Sequence, residues 1–406
     1  MTAASSTSKA LVSSVTLGEL ATGQALTAPV YTFKGCDSEI DSASDSASDS
    51  ESNAGVHSES YRGGSSAAPS VYIQANVHGA EVQGNAVIHQ LMTLLEGYTV
   101  LGDIHCVPLA NPLGINHKSG EFTLGRFDPI TGVNWNREYY EHAAIVADIP
   151  NWFESNKQLS DADLFSAFRQ RLLSSCQDRL NNSWGVSTGH QLAVTLQSMA
   201  HEADIVLDLH TGPKSAKHLY CPEYDIDSAS FFSIPFSLII PNEFGGAMDE
   251  AAFYPWWQLQ QYCATQGREF NVPVAAFTLE LASQERIDMI DAKEDALGIL
   301  AYLSHRGVIK EKVKPAEMPR WGCFLANYKK FHAPKAGLVE YCAEVGKPLA
   351  AGEPLVTLLR LDQYGSEQAL ESVSLPCDCV PVLHFASASV HQGTELYKVM
   401  TEVFEL

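Results

Sequence analysis

Val71-Tyr72-Ile73-Gln74-Ala75-Asn76-Val77-His78-Gly79-Ala80-Glu81 decides the reading of the fold. Its first seven residues make an apolar β-type run. From Glu81 onward Val82, Val87, Ile88, Leu91, Met92 and Leu95 recur at helical spacing, and Gly97 supplies a stop. Strand, turn and amphipathic helix therefore follow one another, with His78 and Glu81 at the junction. A neutral imidazole and a carboxylate three residues apart converge on one Zn²⁺ if the chain turns sharply, which Gly79 permits. An acidic chain produces His-x-x-Glu by chance, so its meaning depends on what accompanies it.

Outward from this stretch the pattern repeats. Strand-like runs span Ile104 to Leu109, Ala203 to Leu209 and Val272 to Leu281, with helical patterns around Leu164 to Leu173 and Leu192 to Ala200. Alternating buried strands and helices predict a largely parallel sheet covered on both faces. Upstream, Val30-Tyr31-Thr32-Phe33 reads as a strand. Between it and Val71 lies a Ser/Asp/Glu/Gly-rich segment, about 37–66, which holds too little apolar material to fold and is expected to be a disordered insertion in a long hairpin. Beyond Pro315 the character changes to short β-type runs punctuated by Pro334, Gly337, Gly346, Pro348, Gly352, Pro354, Pro376, Pro381 and Gly393. The organisation expected is a catalytic domain at 1–316 and a small C-terminal all-β, barrel-sandwich-like domain at 317–406.

At 406 residues and 45% hydrophobic content the chain can bury a sizeable core. Its net charge of −22, with no Lys/Arg run, argues against nucleic acid and anionic membrane as partners. Residues 1–20 contain one Lys and no apolar stretch of signal-peptide type, and no run reaches the ~18 apolar residues of a membrane span. A cytoplasmic location is expected, and the oligomeric state is open. Nine scattered cysteines, Cys377-Asp378-Cys379 the one close pair, read as reduced thiols. No Gly-x-Ser-x-Gly elbow, P-loop or Gly-x-Gly-x-x-Gly is present, so nucleophilic-serine and nucleotide chemistry have no support.

Ligands in open α/β sheets lie at the carboxyl ends of strands. His210 closes Asp204-Ile205-Val206-Leu207-Asp208-Leu209-His210, so it can meet His78 and Glu81 as a third metal ligand, with Asp208 orienting its ring. Glu280, in Ala275-Ala276-Phe277-Thr278-Leu279-Glu280-Leu281, is a carboxylate in a run too apolar to hold one without a task. Beside a metal-activated water it suits a general base. Arg126 and Asn134-Trp135-Asn136-Arg137 lie in a Gly/Pro/Asn-rich loop after Asn111. Arg126 can hold an oxygen that becomes an oxyanion, and Asn136 with Arg137 can clamp a carboxylate.

Taken together, His78-x-x-Glu81, Arg126, Asn136-Arg137, His210 and Glu280 resemble the zinc carboxypeptidase clan, most closely its succinylglutamate desuccinylase/aspartoacylase family. The order along the chain and Asn111-Pro112 match. The likeness covers roughly Val71 to Leu300, and the β-rich tail looks like this family's C-terminal domain. The resemblance implies a zinc-carboxypeptidase-like mixed sheet with helices on both faces and one Zn²⁺ per chain held by His78, Glu81 and His210. It also implies an amidohydrolase that removes an acyl group from a small anionic N-acyl amino acid. Glu280 would then be base and acid, Arg126 would polarise the carbonyl, and Asn136 with Arg137 would bind the substrate carboxylate. Two departures bear on the substrate pocket: Asn134-Trp135 replaces the usual Asp-Leu, and Ala80 the usual Asn or Asp. Alternatives are a zinc carboxypeptidase acting on short peptides and a metal-binding module without activity.

Overall fold

A computed structural model describes residues 9–36 and 68–406. The insertion expected at 37–66 lies outside the described residues. Strands β1 (Leu11–Glu19) and β2 (Ala25–Phe33) form an antiparallel hairpin; β3 (Val71–Ala75) and β4 (Ile104–Val107) follow, then a small ribbon of β5 (Lys118–Ser119) and β6 (Phe122–Thr123). Next come β7 (Ile205–Gly212), β8 (Lys214–Ser215), β9 (His218–Pro222), β10 (Phe236–Ile240), β11 (Ala275–Ser283) and β12 (Trp321–Phe324). The C-terminal part adds β13 (Tyr328–His332), β14 (Gly337–Tyr341), β15 (Pro354–Leu359), β16 (Leu370–Ser374), β17 (Val380–His384), β18 (Ser389–Val390), β19 (Glu395–Met400) and β20 (Phe404–Glu405).

Among the described residues one large mixed sheet runs β1-β2-β4-β3-β7-β11-β9-β10-β12-β20. Its centre, β4-β3-β7-β11, is parallel, and both β3 and β7 are buried along their whole length. Such strands need cover on both faces, and helices supply it. On one face α1 (Gln83–Leu95) packs with the helix 289–305 through Val87, Ile88, Leu91, Ile299, Tyr302 and Leu303. On the other, helices 161–180, 188–201 and 248–265 bury Leu164, Phe168, Leu192, Leu196, Phe253 and Trp256. No helix among the described residues is long and apolar enough to cross a membrane.

The expected hairpin across 37–66 does not form. β2 pairs antiparallel with β4, Tyr31 opposite Cys106, while β3 takes β4 and β7 as parallel neighbours. The reason lies in the burial patterns: β2 alternates and is buried on one side, suiting the flank, whereas β3 is apolar on both sides and belongs in the centre. β7 also continues through His210 to Gly212 instead of ending at Leu209.

The C-terminal strands build two four-stranded sheets, β13-β19-β17-β8 and β16-β15-β14-β18. The first incorporates β8, which follows directly on β7, and β12 and β20 extend the large sheet. All nine cysteines are free, six of them buried.

Candidate active site

Asn76 shapes the turn after β3. It adopts the left-handed conformation at φ 66°, and its side-chain amide donates to the carbonyl of His78 at 2.9 Å. Gly79 has an ordinary φ, so the turn does not need it for that. It is required because a Cβ there would lie 2.0 Å from the carbonyl oxygen of Gly114. Glu81 precedes the helix, which begins at Gln83.

The turn aims His78 and Glu81 at His210. Glu81 Oε1 lies 2.9 Å from His78 Nδ1 and Oε2 2.8 Å from His210 Nδ1, with all three side chains buried. Each imidazole is held from its other nitrogen: His78 Nε2 by Asn134 Oδ1 at 2.7 Å, His210 Nε2 by Asp208 Oδ2 at 2.8 Å. Two Nδ1 atoms and a carboxylate within 4.8 Å of one another, each ring fixed by an oxygen acceptor, are a donor set that fits Zn²⁺. Burial alone would raise Glu81, but the imidazoles prevail and hold it well below the carboxylate range. For His210 burial is likewise outweighed, by Asp208 and Glu81, and its pKa lies well above normal.

Glu280 stands beside His210 in the β7–β11 register. Its Oε2 is buried without a hydrogen-bond partner, and burial followed by repulsion from Glu81 pushes its pKa to about 7. Arg126 reaches Glu81 Oε1 at 2.7 Å with its side chain half exposed. Asn136 is buried in a short turn where its N–H donates to Asn134 Oδ1 at 2.9 Å, and Arg137 Nη1 donates to the Asn136 carbonyl. All seven sequence-selected residues line one cavity of about 430 Å³. Leu383 of β17, Phe385 just after that strand and Lys398 of β19 also line it.

Sequence reasoning missed Asn134 as an anchor for His78, Asp249 and Thr278 in the cavity wall, and Lys398 from the tail. Asn134 was visible only as a departure. A second ligand-type group, His142, Cys176 and His201, was also missed; its atoms likewise fall within 4.8 Å of one another. His142 Nε2 and His201 Nε2 are 2.9 Å apart, and burial lowers the pKa of both rings. Facing them is the Gln197 amide, whose oxygen and nitrogen are fixed by the N–H and carbonyl of Tyr140. This group lies outside the cavity wall.

A mixed α/β sheet with a walled cavity at its strand ends, lined by two imidazoles, an intervening carboxylate and a second unpartnered carboxylate, is the architecture of a hydrolase. Residues 67–306 match the family model described as the succinylglutamate desuccinylase/aspartoacylase catalytic domain. A crystal structure of a succinylglutamate desuccinylase/aspartoacylase-type protein from Shewanella frigidimarina NCIMB 400 is 68% identical over 98% of this chain and 99% of its own, with a TM-score of 0.89. Another, from Shewanella amazonensis SB2B, is 64% identical over 97% and 100%, at 0.88. The product-bound ectoine utilization protein EutE (DoeB) of Ruegeria pomeroyi, 15% identical over 97% and 95%, shares the fold at 0.63. No protein of curated function matches. The chain belongs to the succinylglutamate desuccinylase/aspartoacylase family, and membership implies an acyl-amino-acid deacylase.

Proposed function

We propose that this protein is a zinc-dependent amidohydrolase that removes the acyl group from an N-acyl amino acid. The observation that carries the reading is the convergence of His78, Glu81 and His210 beside the unpartnered carboxylate oxygen of Glu280 in one walled cavity. Zinc, when bound, supplies a Lewis acid and lowers the pKa of water. Glu280 takes the proton from the attacking water and returns it to the leaving nitrogen, a task suited to a carboxyl near pKa 7. Arg126 donates to the carbonyl oxygen as charge develops there. Asn136 and Arg137 hold the substrate carboxylate.

Residues 1–316 carry this chemistry, and 317–406 act as a barrel-sandwich-like β domain that roofs it. The roof of Leu383, Phe385 and Lys398 favours small substrates over peptides. The test is metal analysis together with a panel of N-acyl amino acids and short peptides. Glu280→Gln is expected to keep stoichiometric zinc and lose about 10²–10⁴-fold in turnover. An unchanged rate, or a preference for peptides, would refute the assignment.

A further inference from the structure

The strand register sets a second polar row beside the first. His210, Glu280 and His218 stand side by side on β7, β11 and β9, and two residues along, on the same face, stand Asp208, Thr278 and Tyr220. Thr278 and Tyr220 line the cavity. The first turn of the helix Met248–Thr265 adds Asp249 to the same wall.

Asp249 is 1% exposed. Its Oδ1 accepts the Glu250 N–H at 2.9 Å, whereas Oδ2 is buried with no hydrogen bond. The Thr278 hydroxyl lies near enough to favour the charge of Asp249 but outside hydrogen-bonding geometry, so that atom too is unpartnered. No ion pair reaches Asp249 among the described residues, although Arg137 lines the same cavity. The helix terminus does not offer the wall as an anion site. Glu250 Oε2 already accepts the N–H groups of Gly245 at 2.8 Å and Ala247 at 3.0 Å. Burial, then Glu250 and Asp208, push the Asp249 carboxyl up to about 8, the behaviour of an acid placed among acids without a cation.

Resting on the N-acyl amino acid reading, we infer that Asp249, assisted by Thr278, receives a positively charged substrate side chain, so that the amino acid released is a basic one. An ammonium group there satisfies Asp249 Oδ2 and can donate to Thr278 Oγ1. An apolar side chain leaves both buried atoms unpaired, and a substrate carboxylate meets the field of Asp208 and Glu250. The substrate keeps a carboxylate for Arg137 but is zwitterionic.

Calorimetry on the zinc-loaded enzyme measures binding of lysine, ornithine and 2,4-diaminobutyrate against aspartate, glutamate and leucine, alongside hydrolysis of their N-acetyl derivatives. The expected result is at least a tenfold preference for one or more of the diamino acids, in binding and in kcat/KM. Asp249→Asn should abolish it, with Thr278→Val reducing it severalfold as a milder check on folding. Equal or better binding of aspartate or leucine, failure of every basic amino acid to bind, or a preference that survives Asp249→Asn overturns the inference. Asp249-dependent binding of a diamino acid without hydrolysis of any derivative would support this assignment and overturn the amidohydrolase reading, so the two fail separately.

Discussion

Asn134 Oδ1 is one acceptor shared by two donors, His78 Nε2 at 2.7 Å and the Asn136 N–H at 2.9 Å. It fixes the ring of a metal-ligand candidate and the turn that carries Asn136 and Arg137 at once. Oxygen acceptors of this kind orient a ligating imidazole and are worth about 10–100-fold in metal affinity. Asn134→Ala is therefore expected to weaken zinc binding by about that factor, measured by chelator competition, and Asn134→Asp to restore it, because the acceptor oxygen returns. Equal affinity in the alanine variant would assign Asn134 to the pocket wall alone. At this scale His78, Glu81, His210 and Glu280 were legible because each is a polar residue within or shortly after an apolar run. The role of Asn134 was not, since nothing local ties it to a histidine 56 residues away. His142, Cys176 and His201 were hidden for the same reason, each lying in a different loop or helix.

Elements with strong periodicity were legible, and those with mixed signals were not. β3 and α1 stand where the apolar run and the helical spacing put them. β1 escaped because it lies at the sheet edge with Leu11 and Val12 exposed, and the helix 248–265 carries Pro255 in its interior. The pairing of β2 with β4 was unreadable because partner choice depends on both faces of β3, which local sequence does not report. The segment 134–142, carrying Arg137, shows how elements support the site. It has little regular structure, and the helix Thr188–His201 holds it through Gln197, which brackets the backbone of Tyr140 at 2.7 and 2.8 Å, and through His190 to Glu138. Gln197→Leu leaves two backbone groups without partners, at about 1–3 kcal/mol each. A loss of about 2–6 kcal/mol in denaturant unfolding, together with a raised KM at full zinc occupancy, is expected. An unchanged KM would separate this brace from substrate binding.

The two halves of the molecule share both a sheet and a core. β12 and β20 lie in the large sheet, β8 lies in a C-terminal one, and Phe236, Leu238 and Cys323 pack with Val380, Val382 and Met400. Unfolding either half strips ladder hydrogen bonds and apolar cover from the other, so one calorimetric transition is expected; two resolved transitions would mean the shared strands contribute little. The pH dependence of that transition tests the isolation of Asp249 independently of any substrate. Its folded carboxyl, at about 8, lies above the ordinary 3.8, so between those values the native state binds more protons than the unfolded chain. Stability from this group is therefore lost as pH rises through the window, by up to about 1.4 kcal/mol per pH unit. Asp295, raised to about 6 by burial despite Lys217 at 2.9 Å, acts in the same direction over a shorter range, while His142 and His201, lowered by burial, oppose both at the acid end. Asp249→Asn removes one contribution and leaves the others. Its unfolding temperature should exceed that of the wild type by a margin that widens from pH 5 to pH 8, and parallel curves would show that Asp249 already has a cation beside it in the free enzyme.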